Sequence, residues 1–337
     1  MSRTQRFGVS GAVLAAAVVA GSALILGRAT GAEASPPPVR TGVAVVNTNL
    51  AYQGGGAAGT GIVLSSSGEV LTNNHVIRGA TTIRVSYAGH TYSARVVGYS
   101  VTKDVAVLQL ANAHGLKTAS LGHSSGLRIG NGVTAVGNAG GTGALTVTTG
   151  KVTALGQGIT VSDDQGSTNR LTGMVETDVP LQPGDSGGPL LHARRVVGMD
   201  AAASTGFQFQ SGNESFAIPI DTALGIARQI ESGHRSATVH VGPTAFLGVA
   251  VAPSDGYGSY EQGAVVGSVV SGSAADRAGL QSGDVITAVN GRAIGSASDL
   301  QRVLFTVAPG TALTIAWTDG YGYQSSATVR PAAGPPQ

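Results

Sequence analysis

A serine, a histidine and an aspartate lie in three separate segments whose residue types suit nucleophilic catalysis. Ser186 lies in the segment Gly-Asp-Ser-Gly-Gly-Pro at 184–189, His75 follows an apolar strand pattern, and Asp104 comes just before the apolar run 105–108. A serine hydroxyl attacks well only when a neighbouring base takes its proton, and an aspartate can fix the tautomer of that base. We therefore predict that Ser186 attacks, His75 takes and returns the proton, and Asp104 orients His75.

The glycines beside the serine predict a place for developing negative charge. We expect Gly184, Asp185 and Ser186 to form an oxyanion hole, with the amides of Gly184 and Ser186 pointing to one spot. Each residue also has a structural alternative: the serine segment could be a plain turn, His75 a satisfied buried histidine and Asp104 a turn cap. The occurrence of all three in the order His, Asp, Ser favours catalysis.

The composition excludes several other classes of protein. The chain has 337 residues, no cysteine and a formal net charge of +2. It therefore lacks disulfides and cysteine ligands, and without a basic cluster that includes aromatic residues it is not expected to bind nucleic acid. The histidines show no ligand spacing, which predicts no metal site. The glycine-rich segment 137–143 lacks the Lys-Ser/Thr of a phosphate loop, so no cofactor is expected.

The amino terminus has the pattern of an export segment. Arg3 and Arg6 precede the uncharged run 7–27, and Ala32-Glu33-Ala34 provides a small-x-small cleavage site. This pattern predicts that 1–34 is a signal peptide, with an uncleaved membrane anchor as the alternative. In either case the remaining chain is expected to be exported and to face the outside, in the cell envelope or the extracellular space.

Short apolar runs broken by Gly, Ser and Asn predict a mostly β fold. Strands are expected within 61–64, 82–87, 105–110, 133–137, 150–155 and 196–199, and a helix over 221–230. A second region shows a strand, strand, helix, strand, helix, strand pattern at 247–251, 264–270, 274–278, 285–289, 298–305 and 312–318. The expected organisation is a linker at 35–42, a catalytic domain at 43–233, a linker at 234–244, a second domain at 245–331 and a frayed tail at 332–337.

Six segments resemble the HtrA/Deg family of trypsin-like serine proteases in the same order. They read TNNHVI, DVAVLQL, VTTGKVTAL, ETD, GDSGGPLL and SFAIPI. The resemblance implies a chymotrypsin-like double β-barrel followed by a small α+β PDZ domain, with His75 and Asp104 on the first barrel and Ser186 on the second. The chain departs from the family at Asp185, where relatives often have Asn, and at 137–143, which lacks their usual Pro-Phe.

The same resemblance implies where a polypeptide substrate binds. Ser215, Phe216 and Ala217 are expected to form an edge strand that pairs with the substrate backbone. Pro180 takes the place, six residues before the nucleophile, where trypsins carry the acidic residue that selects Arg or Lys. A pocket lined by Val179, Pro180, Leu181 and Phe216 is therefore expected to accept small or medium apolar side chains.

The second domain resembles the PDZ domains attached to bacterial proteases, through the segments 273–286 and 289–291. Its backbone at Phe246, Leu247, Gly248 and Val249 is expected to bind the carboxylate of a peptide C-terminus. The groove between 247–251 and the helix at 298–305 is expected to take apolar side chains. Kinship with the family further implies a homotrimer.

We interpret the chain as an endopeptidase that cleaves unfolded or exposed polypeptides. One alternative is a non-catalytic binding or chaperone protein, which would be free to lose a triad member, but none is missing here. Another is an α/β-hydrolase esterase, since the segment 184–188 matches Gly-x-Ser-x-Gly. The order of the triad and the apolar strand expected after Pro189 do not fit that fold.

Overall fold

The computed structural model of the chain describes residues 38–162, 168–201, 208–209, 215–252 and 263–337. The predicted export segment 1–34 lies outside these residues. Across the described ranges, no helix combines the length and the apolar character needed to cross a bilayer.

The first part of the chain forms a closed six-stranded antiparallel barrel. Its strands are β1 (Val43–Leu50), β2 (Gly55–Val63), β3 (Glu69–Thr72), β4 (Thr82–Tyr87), β5 (His90–Ser100) and β6 (Val105–Leu110). The hydrogen-bonded order is β5-β4-β1-β2-β3-β6, and β5 also pairs with β6, which closes the barrel. A single-turn helix, α1 (Asn74–Ile77), follows β3 directly. Because Thr72 at the end of β3 is opposite Ala106, α1 lies near the start of β6, which Asp104 directly precedes.

A second closed barrel follows. It contains β7 (Gly132–Gly137), β8 (Thr146–Ser162), β9 (Thr168–Thr177), β10 (Pro189–His192), β11 (Arg195–Ala201) and β13 (Ser215–Pro219), and the short β12 (Gln208–Phe209) pairs on the outside of β8. The order is β8-β7-β10-β11-β13-β9, closed by β8 on β9. Helix α2 (Ile220–Glu231) continues from β13. The two barrels together confirm the predicted fold class.

Alternate residues of β11 and β13 point to two different cores. Met199, Ala201 and Phe216 pack with buried residues of α2 and of the first barrel, a cluster that we call the inter-barrel core. Ala217 points the other way, into the loop-side core, which consists of Leu127, Val133, Ala135, Val152, Val175, Val179, Leu190, Val197 and Ala217, with Leu181 packed against it. Strand alternation thus separates Phe216 from Ala217.

The expectation that Ser215, Phe216 and Ala217 form an edge strand is wrong. β13 lies between β11 and β9: Phe216 is opposite Ala201 on one side and Glu176 on the other. A closed barrel leaves its member strands without a free edge, so β13 has no open side for a substrate strand.

The second domain is a small sheet flanked by two helices. Its elements are β16 (Val249–Val251), β17 (Ala264–Val269), α3 (Ala274–Ala278), β18 (Val285–Val289), β19 (Arg292–Ala293), α4 (Ala297–Thr306), β20 (Leu313–Thr318) and β21 (Gln324–Val329). The sheet order is β16-β17-β18-β20-β21, with β19 beside β18, so β16 is an edge strand among the strands that the structure describes. Both helices begin at a serine that accepts a hydrogen bond from the amide three residues later, Ser273 from Asp276 and Ser296 from Asp299. These caps follow from the Ser-x-x-Asp spacing in the sequence.

The segments expected to be a linker and a frayed tail are both ordered by strand pairing. In the linker, β14 (His240–Val241) pairs with β5 of the first barrel. Beyond it, β15 (Thr244–Phe246) pairs with the tail strand β22 (Ala332–Gly334). The tail is not frayed because its last two residues also form hydrogen bonds. The Pro336 carbonyl accepts from the Gly79 amide at 2.8 Å, and the Gln337 carbonyl accepts from Asn74 Nδ2 at 3.0 Å.

Candidate active site

His75 and Asp104 meet through two hydrogen bonds. The Nδ1 atom of His75 lies 2.8 Å from Asp104 Oδ2, and the His75 amide donates to Asp104 Oδ1 at 2.9 Å. Asp104 is held in turn by Asn73, whose Nδ2 donates to the Asp104 carbonyl at 2.9 Å. An ionised carboxylate only accepts hydrogen bonds, so Nδ1 carries a proton and Nε2 is left as the basic nitrogen. This is the orientation that a general base requires.

The Ser186 segment lies against β2 of the first barrel, next to the helix that carries His75. Its carbonyl accepts a hydrogen bond from the Thr60 amide of β2 at 2.8 Å. A Cβ atom on the neighbouring Gly59 would lie 2.6 Å from the Val76 side chain and 3.2 Å from the Ser186 carbonyl. Gly59 therefore allows the nucleophile segment to approach the helix that carries His75. Ser186 and Asp104 are both buried, at 2% and 3% exposure.

Thr60 ties the two barrels together beside the nucleophile segment, and Thr72 bonds to Thr60 within the first barrel. Thr60 Oγ1 donates to the Gly184 carbonyl at 2.7 Å and accepts from the Asn138 amide at 2.9 Å. Thr72, three residues before His75, donates from Oγ1 to the Thr60 carbonyl at 2.7 Å. Sequence reasoning missed both residues. The available signal was a hydroxyl side chain within apolar strands, which must find a partner when buried.

The peptide that precedes Gly184 has a fixed orientation. The Pro183 carbonyl accepts from the Gly140 amide at 2.8 Å. Because the carbonyl and N–H of one trans peptide point in opposite directions, the Gly184 N–H is directed away from Gly140. Gly184 adopts φ +100°, and a Cβ there would lie 2.2 Å from the Asn138 carbonyl, so only glycine fits. The segment 137–143, which carried no predicted role, thus holds the predicted oxyanion peptide.

The structure contradicts one predicted member of the oxyanion hole. The amide of Asp185 donates to the Gln182 carbonyl at 3.0 Å, and Asp185 Oδ2 accepts from the Gln182 amide at 2.9 Å. Both bonds close a tight turn within the loop. The Asp185 amide is therefore occupied, and of the three predicted residues only Gly184 and Ser186 can direct amides to an oxyanion.

A second carboxyl group lies behind the nucleophile. Asp200 of β11 is 1% exposed, its amide donates to the Gly188 carbonyl at 2.8 Å, and its own carbonyl accepts from Gly187 N at 2.9 Å. Burial, reinforced by the charge of Asp185, raises the pKa of Asp200 well above its ordinary value. Burial also raises the pKa of Asp185, although the bond from Gln182 opposes this. Asp200 was not predicted as a site residue.

The residues predicted to shape the specificity pocket divide between two environments. Val179 is buried in the loop-side core together with Ala217, and Leu181 packs partly against it, while Pro180 is exposed. Phe216 lies in the inter-barrel core instead. Its side chain therefore does not share a face with Val179, and the predicted pocket wall at Phe216 is wrong. Ser215 is buried where β13 begins.

Among the residues predicted to bind a carboxylate, Phe246 has a different role. Its ring stacks on Tyr52 of the first barrel at 5.1 Å, and its backbone pairs with Ala332. Leu247 is buried in the core of the second domain, and Gly248 adopts φ +90°, where a Cβ would lie 2.1 Å from Ser273. Leu247 and Gly248 therefore remain as the loop that leads into β16, and Val249 is the first residue of that strand.

The predicted groove is also shorter than expected. Val249 and Val251 of β16 and Val303 of α4 are only partly buried and pack against the core of the second domain. Phe305, at the end of α4, instead packs into the core of the first barrel against Tyr99, with ring centroids 5.8 Å apart. Among the described residues, no group of three or more acidic or histidine side chains could hold a metal ion.

Comparison with known proteins gives two domain matches. Residues 59–199 match the model of a trypsin-like peptidase domain, and residues 265–317 match that of a PDZ domain. A solved structure described as the HtrA-type protease AlgW with tripeptide has a TM-score of 0.50 and 28% identity, and the alignment covers 89% of this chain and 97% of that one.

Curated relatives are similar over most of this chain. Serine protease PepD of Mycobacterium tuberculosis is 35% identical over 298 residues, which are 83% of this chain and 61% of PepD. A probable periplasmic serine endoprotease, DegP-like, of Hahella chejuensis is 36% identical over 265 residues, or 75% of this chain and 52% of the relative. The chain thus spans between half and two thirds of the length of these relatives.

Proposed function

Because the chain belongs to the HtrA-type trypsin-like serine proteases that carry a PDZ domain, we propose that it is a serine endopeptidase that cleaves unfolded or exposed polypeptides. The observation that carries the proposal is the two-point hydrogen bonding of His75 to Asp104, next to the strand that holds the Ser186 segment. A histidine that serves only to fill a core does not need a buried carboxylate on both its amide and its ring.

The reaction follows from these positions. His75 Nε2 removes the proton of Ser186 Oγ as that oxygen attacks the peptide carbonyl, and returns the proton to the leaving amine. Asp104 keeps Nδ1 protonated and stabilises the imidazolium that forms. The amides of Gly184 and Ser186 receive the negative charge of the carbonyl oxygen, an effect worth roughly 10²–10³ in rate for each donor. Water then hydrolyses the acyl-enzyme by the same base.

We assign a preference for small or medium apolar side chains before the scissile bond. Val179, Pro180 and Leu181 form the loop ahead of the nucleophile, and Val179 and Leu181 contribute to an apolar core with Ala217. Pro180 supplies no charge at the position six residues before Ser186. Digestion of a peptide library tests this preference, and dominant cleavage after Arg or Lys would contradict it.

The second domain is assigned to the capture of peptide C-termini. Among the described strands, β16 is at the edge of the sheet, and partly buried apolar side chains of β16 and α4 pack against the same core. Such an edge can add a peptide as a further strand, with Leu247, Gly248 and Val249 near its carboxylate. Kinship with proteins named periplasmic supports a location in the cell envelope, and family likeness supports a homotrimer.

Replacement of the nucleophile tests the function. The Ser186→Ala variant should lose labelling by a fluorophosphonate and hydrolysis of unfolded casein, while its far-UV circular dichroism matches the parent chain. Hydrolysis by the variant at the parent rate would rule out Ser186 as the nucleophile. A parent chain that neither reacts with the probe nor cleaves casein would favour a non-catalytic binding role.

A further inference from the structure

Two carboxyl groups bracket the nucleophile in this chain. Asp185 directly precedes Ser186, and Asp200 is bonded through its backbone to Gly187 and Gly188, the two residues that directly follow. Neither carboxyl takes part in the proposed reaction. The backbone of Asp200 nevertheless holds the two glycines that directly follow Ser186.

Both groups are buried without enough hydrogen-bond donors. Asp185 is 2% exposed and Asp200 is 1% exposed. Within the described residues, Asp185 Oδ1 and both side-chain oxygens of Asp200 have no hydrogen-bond partner. A buried carboxylate without donors is far more costly than a buried neutral acid, which explains why burial favours the protonated form here.

The side chain of Asp200 faces an apolar surface. Asp200 is directly opposite Ala217 in the pairing of β11 with β13, and residues opposite each other share a face of the sheet. That face belongs to the loop-side core, whereas the neighbours Met199 and Ala201 belong to the inter-barrel core. Asp200 therefore points toward Val179 and the loop that leads to the nucleophile.

The elements packed against β11 supply no compensating positive charge. β13 carries no ionisable side chain, and His192 of β10 places Nδ1 2.8 Å from the Gly132 carbonyl. In the first barrel, His75 is paired with Asp104. Helix α2 packs against the opposite face of β11, where its ionisable residues are Asp221, Arg228 and Glu231. In the part of the chain that the structure describes, the charge that acts on Asp200 is that of Asp185.

We propose that Asp200 is a positioning residue which must keep its proton for the Ser186 turn to remain competent, so that loss of this proton sets the alkaline limit of hydrolysis. This rests on the proposed peptidase function. Ionised Asp200 would place a second negative charge behind the turn that receives the oxyanion, and would compete for backbone donors that now hold Gly187 and Gly188. Both effects destabilise the transition state more than they destabilise the free enzyme, so kcat/KM falls.

The direct test compares pH profiles of kcat/KM for the parent chain and Asp200→Asn, using a quenched peptide derived from casein. In the parent, kcat/KM should fall about tenfold per pH unit above the midpoint of a single-proton alkaline limb. The limb should disappear in Asp200→Asn, which cannot ionise but keeps the size of the side chain. Asp185→Asn should move the limb to lower pH, because it removes the charge that helps Asp200 to keep its proton.

A matched control is Asp178→Asn. Asp178 is an exposed carboxylate of the same barrel that accepts from the Lys151 amide, so its loss should leave the alkaline limb in place. A parent chain without an alkaline limb, or an Asp200→Asn variant that retains it, would overturn the inference. A merely structural role for Asp200 would lower kcat/KM at every pH by the same factor.

A second measurement separates this inference from the peptidase assignment. In the inactive Ser186→Ala background, the unfolding equilibrium should be compared with and without Asp200→Asn across pH. Burial raises the pKa of folded Asp200 above its ordinary value of 3.8. The folded state therefore loses stability as pH rises from near 3.8 until Asp200 ionises in the folded state as well. The advantage of the Asn variant should therefore grow, by up to about tenfold in the unfolding constant per pH unit, and then level off. A constant difference at all pH values refutes proton retention, whether or not the chain cleaves peptides.

Discussion

The hydroxyl of Thr60 is expected to be essential for both stability and catalysis. Thr60→Val keeps the shape of the side chain but removes the donor to Gly184 O and the acceptor for Asn138 N, both of which are buried. An unsatisfied buried group costs about 1–3 kcal/mol, so the two together should lower the free energy of unfolding by about 2–6 kcal/mol. Since Gly184 O belongs to the peptide beside the oxyanion donors, kcat/KM should also fall, by up to about 10²–10³-fold.

The matched control is Thr60→Ser, which retains the hydroxyl and loses one methyl group. Removal of one buried methyl group costs about 0.5–1.5 kcal/mol. Urea unfolding of both variants in the Ser186→Ala background gives the stabilities without self-cleavage, and the active forms give kcat/KM on one peptide. The reasoning is refuted when the Val variant is as stable and as active as the Ser variant, because the methyl group would then account for everything that Thr60 contributes.

Three further predictions concern Gly184, Asp221 and the tail strand β22. Gly184→Ala should lower kcat/KM by at least about 10²-fold, because the new Cβ would clash with the Asn138 carbonyl at a residue whose φ is +100°. The control is Gly225→Ala in α2, where a Cβ meets no other atom, and this variant should keep the activity of the parent chain. Although partial burial opposes it, hydrogen bonds from Ser124 and His123 lower the pKa of Asp221. Asp221→Asn should therefore be less stable than the parent chain at neutral pH, and the difference should vanish as pH falls through the lowered pKa. Urea unfolding at several pH values measures this difference. Removal of 332–337 should expose the edge of β15 and speed trypsin cleavage near Arg235, and an unchanged digestion rate would argue against a stabilising tail.

Local pattern predicted individual elements well. The strands at 82–87, 105–110 and 285–289 and the helix at 274–278 have the bounds that periodicity and turn residues indicate. These elements depend on neighbours in sequence: alternating burial in a strand, or a serine cap at the start of a helix. The pairing of His75 with Asp104 likewise emerged from motifs that are specific to one family.

What escaped prediction depends on contacts between distant parts of the chain. Thr60 bonds to a carbonyl 124 positions away, and nothing near Thr60 in sequence indicates that partner. The pairing of β13 with both β11 and β9 leaves it without a free edge, and strand patterns alone do not reveal which strands become neighbours. Asp200 directly follows the predicted strand 196–199, and nothing near it in sequence indicates that the fold buries it close to Asp185.

The pairing of β15 with β22 has a consequence for how this protein can be altered. The chain enters the second domain through β15 and leaves it through β22, and these two strands are paired. Paired strands lie only about 4.8 Å apart. A domain whose two ends are adjacent can be replaced by another domain, provided that the ends of the replacement are equally close together. A different ligand-binding module could therefore be grafted at these two points, while the catalytic barrels keep their own chain path.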